Sequence, residues 1–302
     1  KQKNYHHMED KLSAARKMAN LFLDNPFLRK FMPNPGNFPE VIYKYRNWSE
    51  ENHQKLLTHN ELYMSPAKFF NDPYDLKIYK NFLLLDTPEK IRKYIDSALK
   101  KNSDWIKKKK KSPIAQRKIL ESRVSNILKY QVRSEVIEDI YNNDNFGTAC
   151  FSKEWKSILM WSHYSDNHKG YCLGFDEARM RISGLFGKGG DVVYTSDYPN
   201  ISPFESDYNA QVIRTFIKSD LWKYENEYRF MNIYFDSGGA EYNSPKRIIK
   251  FPDNFIKEIL LGASMPEKDR DMLIGIGKER KISVFQVEKV PFAFELDRHQ
   301  VV

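Results

Sequence analysis

The stretch Leu221-Trp222-Lys223-Tyr224-Glu225-Asn226-Glu227-Tyr228-Arg229-Phe230 decides how the fold is read. As a β-strand, its side chains alternate between two faces. Trp222, Tyr224, Tyr228 and Phe230 fall on one face, which reads as core and as the anchor of a sheet. Lys223, Glu225, Glu227 and Arg229 fall on the other. Two carboxylates on one strand face repel each other unless cations lie nearby. Lys223 and Arg229 supply that balance if the face meets solvent. If it lines a site, the carboxylates are placed to steady a developing cation.

Working outward, short strand-like runs alternate irregularly with helical ones. Strands are expected at 41–46, 61–65, 146–152, 171–175, 191–194, 247–251, 256–261 and 282–287, with 292–296 adding one beyond the last. Helices are expected at 9–30, 49–59 (capped by Ser49), 87–101, 113–141, 157–164, 205–218 and 266–280. Gly187 to Gly190 reads as a loop. There is no βαβ rhythm and no phosphate-binding glycine loop. The pattern predicts an α+β fold with a split, mostly antiparallel sheet. Residues 1–39 read as an N-terminal helical arm and linker. Residues 40–302 read as one domain with a helical insertion at 87–141.

The chain has 302 residues, of which 41% are hydrophobic and 14% aromatic, enough for a sizeable core. Its formal charge is +9. That surplus permits contact with a polyanion without requiring it. The run Lys107 to Lys111 reads either as a solvated helix end or as a nucleic-acid contact. Two cysteines, Cys150 and Cys172, exclude a disulfide framework and fit a reducing cytoplasm. No apolar run reaches the length of a membrane helix, and residues 1–10 lack a signal-peptide core. No membrane partner is expected.

Four constellations carry chemistry. In Tyr43-Lys44-Tyr45-Arg46, Arg46 can clamp a phosphate or pair with Asp72 or Glu227. Tyr63 and Ser65 share a strand face suited to stacking a ring and bonding its substituent. Beside them, Asn71 and Asp72 fit a turn before Pro73. In Met160-Trp161-Ser162-His163-Tyr164, Trp161 reads as core. His163 reads as a general base, a nucleic-acid contact or a structural group. The fourth is Glu225-Asn226-Glu227, with Arg229 holding the carboxylates. No histidine spacing fits a zinc helix.

These stretches, with Gly170 to Asp176, resemble a bacterial family known as domain of unknown function 2971, over about residues 41–290. The resemblance implies a setting of bacterial conflict and phage defence, and no reaction. A looser resemblance is to the ADP-ribosyltransferases, which use an Arg or His, an aromatic-x-Ser and a Glu on successive elements. It implies NAD as substrate and a protein or nucleic-acid acceptor. Arg46, with Tyr43, would then hold the pyrophosphate or its ribose. Tyr63 would stack on nicotinamide and Ser65 would position it. Glu227 would stabilise the transition state and Glu225 would orient the acceptor. A nucleic-acid-binding or nucleolytic effector, and a non-catalytic sensor module, are the competing readings.

Overall fold

The computed structural model describes Ser13 and residues 38–205, 212–235 and 238–302. The expected N-terminal helix at 9–30 lies outside these residues apart from Ser13. The strands are β1 (Val41–Arg46), β2 (Glu61–Tyr63), β3 (Phe146–Ser152), β4 (Tyr171–Asp176), β5 (Lys188–Asp191), β6 (Val193–Thr195), β7 (Ile217–Ser219), β8 (Glu227–Ile233), β9 (Ile248–Lys250), β10 (Ile256–Leu261), β11 (Ser283–Lys289) and β12 (Leu296–Gln300). Eight of them form one sheet in the order β12-β11-β10-β4-β1-β3-β8-β5. All neighbours in it are antiparallel except β10 and β11. The helix Glu267–Arg280 makes the crossover that this parallel pair requires. The fold is therefore α+β and mostly antiparallel, as the pattern predicts. Two small ribbons, β2 with β9 and β6 with β7, complete it.

The alternation of the central strands fills both faces of the sheet. Ile42, Phe151, Leu173, Phe175, Tyr228, Phe230 and Ile259 bury on one face, with Leu56, Leu57 and Leu273 packed over them. Tyr43, Tyr45, Cys172 and Leu260 bury on the other, beneath Trp161. Gly170 precedes β4 where any Cβ would collide with the Arg46 carbonyl, so that position needs glycine.

Pairing is uneven across the sheet. β1 pairs with β4 along all six of its residues, from Val41↔Asp176 to Arg46↔Tyr171. It pairs with β3 only at Tyr43↔Ser152. Beyond that point β1 and β3 part. At the far end of the gap, Ser65 bridges to Thr148 through two backbone hydrogen bonds of 2.9 Å.

Several local expectations are corrected. The stretch 221–230 is not one strand: Asp220–Glu225 is a 3-10 helix, Asn226 turns left-handed at φ 43°, and β8 starts at Glu227. Trp222 and Tyr224 are therefore half-buried, and only Tyr228 and Phe230 anchor the core. The helix expected to run through Lys218 instead gives way to β7, and residues 206–211 lie outside the described ones. Residues 188–190, read as loop, join Asp191 in an edge strand, Lys188–Asp191. The helix at 113–141 is two, Pro113–Val124 and Ile127–Asn145, the second capped by the Asn126 side chain. Ser49 does not cap the helix Glu51–Thr58; its hydroxyl and N–H bond Asn47. The last strand is β12, four residues later than the 292–296 run. Thr87, Ser112 and Asp176 cap their helices with their side chains.

Arg247 ties distant segments together. It is fully buried, and its guanidinium donates to the carbonyls of Met64, Asn143, Phe146, Ala240 and Glu241. Those carbonyls belong to the β2 exit, the long-helix end and the segment before β9. Arg247→Met leaves them without a donor, so a loss of about 3–5 kcal/mol is expected from denaturant melts.

Candidate functional site

A cavity of about 530 Å³ opens where β1 and β3 part. That volume lies in the usual range for small-molecule sites, roughly 300–1,000 Å³. Its lining includes Tyr43, Lys44 and Arg46 from β1, His53 from the following helix, and Tyr63 and Ser65 beyond it. Thr148, Cys150 and Ser152 come from β3. Asn71, Asp75, His163, Tyr164, Lys218, Glu225 and Glu227 close it. Segments about 180 residues apart in sequence thus meet around one space.

The acidic wall is a buried ion network. Arg229 holds Glu227 at 2.5 and 2.9 Å and Asp75 at 2.6 Å, and donates to the Thr215 carbonyl at 2.6 Å. Lys218 Nζ lies 2.5 Å from Glu225, 3.1 Å from Glu227 and 3.3 Å from Asp75. All five side chains are buried. Burial pushes the Glu227 carboxyl up, but the charge and hydrogen bonds of Arg229, with Lys218, outweigh it and hold the group at about 2. Burial has the upper hand at Glu225 and Asp75, whose carboxyls are raised. Tyr164 donates to Glu225 at 2.6 Å, and Asn71 donates to Tyr164 at 3.1 Å. The left-handed Asn226 brings Glu225 and Glu227 onto the same lysine although they sit in different elements.

The opposite wall is cationic. Arg46 makes no ion pair among the described residues; its one side-chain bond goes to the Tyr45 carbonyl at 3.3 Å. Burial lowers its affinity for its proton, and Tyr171, Cys150 and Cys172 beside it offset only part of that. Lys44 is buried and likewise lacks a carboxylate. Its Nζ donates to the Cys150 carbonyl at 2.6 Å, across the gap where β1 and β3 no longer pair. Burial and then the Arg46 charge bring its amine down to about 7. Burial, Arg46 and Lys44 also bring the His53 imidazole down to about 4. The buried polar atoms His53 Nδ1 and Thr148 Oγ1 have no hydrogen-bond partner among the described residues. Burial pushes both thiols well up, so neither Cys150 nor Cys172 is poised as a nucleophile.

Of the residues singled out in the sequence, Tyr43, Arg46, Tyr63, Ser65, Asn71, His163, Glu225 and Glu227 line the cavity. Tyr43 donates to Glu258 at 3.0 Å, and Tyr63 sits at the rim, its hydroxyl on the Tyr242 carbonyl at 2.6 Å. His163 lies 3.2 Å from the Tyr224 hydroxyl. Asp72 and Trp161 do not line the cavity. Asp72 accepts from the Tyr74 N–H at 2.9 Å in the turn, and Trp161 is core, donating to the Trp155 carbonyl at 2.7 Å. Arg46 pairs with neither Asp72 nor Glu227. The cation beside the carboxylates is Lys218 and not Lys223, which is exposed. Arg229 holds Glu227 from behind the lining. The residues missed are Lys44, His53, Asp75 and Lys218. Lys44 stood inside the quoted run Tyr43-Lys44-Tyr45-Arg46 without a role of its own, and the others left no local signal.

The fold and this cavity define an α+β protein with a ligand-sized space in the seam of its sheet. Residues 160–230 match the family described as Protein of unknown function (DUF2971), which is the family the sequence resembles, over a shorter span than 41–290. The match takes in His163, Tyr164, Lys218 and both carboxylates, and leaves β1 outside. No curated protein and no solved structure matches. No helix among the described residues is long and apolar enough to cross a membrane.

A buried lysine with a lowered pKa opposes folding at neutral pH, because the unfolded chain holds the proton more tightly. This opposition is fully present below about pH 7 and fades as pH rises towards about 10.5, where both states lose the proton. Lys44→Met should therefore stabilise the protein by ~2–4 kcal/mol at pH 7. Denaturant melts at pH 7 and 10 should show that gain shrinking at the higher pH.

Proposed function

We propose that the cavity binds NAD and that the chain cleaves its nicotinamide–ribose bond, as an ADP-ribosyltransferase or NAD glycohydrolase. The observation that carries this reading is the meeting of Arg46, Ser65 and Glu227 at one cavity, with unpaired cations facing a carboxylate cluster. Lys44 and Arg46 receive the pyrophosphate. Loss of nicotinamide leaves positive charge on the ribose, and an ionised Glu227 favours that state. Because Arg229 and Lys218 keep Glu227 ionised at any physiological pH, its charge is available without a proton transfer. Water or an acceptor hydroxyl or amine then adds to the sugar and releases a proton. A toxin-like role in bacterial conflict or phage defence would follow from such an activity.

A second reading is a non-catalytic sensor of the same ligand. It is favoured by the ion network itself, since each oxygen of Glu225 and Glu227 already has a hydrogen-bond partner within the protein. A site of that kind binds without turnover.

The two separate in one experiment. Nicotinamide release from NAD is followed with protein and nucleic-acid acceptors present, beside the shift in melting temperature that NAD induces. Catalysis predicts release that Glu227→Gln lowers by about 10²–10³-fold. Arg46→Met, which leaves the ion network intact, should weaken binding by roughly tenfold or more. A thermal shift without release supports the sensor, and neither signal from folded protein removes both readings.

A further inference from the structure

The helix Ile127–Asn145 is turned inside out. After Ile127 and Tyr130, which pack against Phe82, Leu85 and Val124, its inward face is polar. Gln131 accepts from the Phe82 N–H at 2.7 Å and donates to the Lys80 carbonyl at 3.1 Å. Glu138 pairs with Arg214 at 2.9 Å, Tyr79 donates to Asp139 at 2.5 Å, and Asn143 accepts from the Lys68 N–H at 2.9 Å. Its outward face carries Leu128, Val132, Val136, Ile137 and Ile140, from 54% to 66% exposed. No residue of this helix is buried. Helices of globular domains normally point the apolar stripe inward. A contiguous outward stripe of this kind marks an interaction site.

The charges along that face indicate what covers it. The exposed charged residues are Lys129 and Arg133 towards the N-terminus and Asp144 near the C-terminus. Val136 and Ile137 lie at the midpoint. Two such helices laid antiparallel about that midpoint set Val136 against Ile137 and Lys129 against Asp144 at both ends. Parallel pairing would instead set like charges side by side. A self-complementary patch of this form is what a two-fold interface requires.

We propose that the outward face of Ile127–Asn145 is a homodimer interface, in which the helix packs antiparallel on its counterpart in a second copy. The apolar stripe forms the centre and the Lys129–Asp144 pairs form the rim. Small antiparallel crossing angles suit such a seam. The cavity and its ligand play no part in this pairing.

The full chain is followed by sedimentation velocity from about 0.5 to 50 µM, a range that brackets micromolar association. A dimer is expected within this range. Val136→Glu should leave monomer only, with unchanged circular dichroism. Lys129→Asp, which brings acid against acid twice, should weaken association by roughly tenfold. Adding Asp144→Lys to it should restore the dimer. A wild type that stays monomeric throughout overturns the proposal, as does a dimer that survives Val136→Glu. Failure of the double reversal to restore association overturns the antiparallel register. Dimerisation that appears only when residues 1–37 are removed shows that the arm covers the face, and overturns it too.

Discussion

The rest of the structure depends on one interrupted ladder. β1 and β3 meet at Tyr43↔Ser152 and then separate, although each keeps a full partner on its other side. Backbone groups facing such a gap need partners of another kind. Lys44 supplies one by reaching the Cys150 carbonyl, and the Ser65–Thr148 bridge closes the far end. The cavity is the space between. Its residues come from both sides of the gap, which is why they are so far apart in sequence.

The two walls are built differently. On the acidic side, three carboxylates share two cations, so most of the desolvation of each charge is offset by its neighbours. On the cationic side, Lys44 and Arg46 are desolvated without an acid. That half of the site opposes folding, a cost that a negative charge beside it would offset. Sites that work against stability in this way are commonly functional ones.

How much was legible in the sequence follows from what each signal encodes. Short apolar and aromatic runs located β1, β3, β4 and β10, because both faces of these strands are buried. The candidate residues Arg46, Ser65, Glu225 and Glu227 were legible by type and order. Their convergence was not, because it depends on where a ladder stops, and strand pairing leaves no local mark. The stretch at 221–230 misled because Asn226 in a left-handed turn keeps two carboxylates on one side just as a strand would. Asp75 and Lys218 were hidden for a different reason. Each is one charge among others in its run, and its meaning comes from partners more than a hundred residues away in the case of Asp75, or across a turn for Lys218. The long helix was legible as a helix, but which of its faces met the domain was not.

The strand order also governs how the chain can assemble. β1 is among the first described elements, yet its neighbours β3 and β4 begin at Phe146 and Tyr171. During synthesis both of its edges stay open for about a hundred residues. The intervening helices Pro88–Lys101 and Pro113–Val124 pack on each other over a short span of sequence and can form first. The sheet must wait, and its last parallel pair waits for Ser283–Lys289. A nascent chain of this order leaves an aromatic strand unpaired until β3 and β4 have both been made.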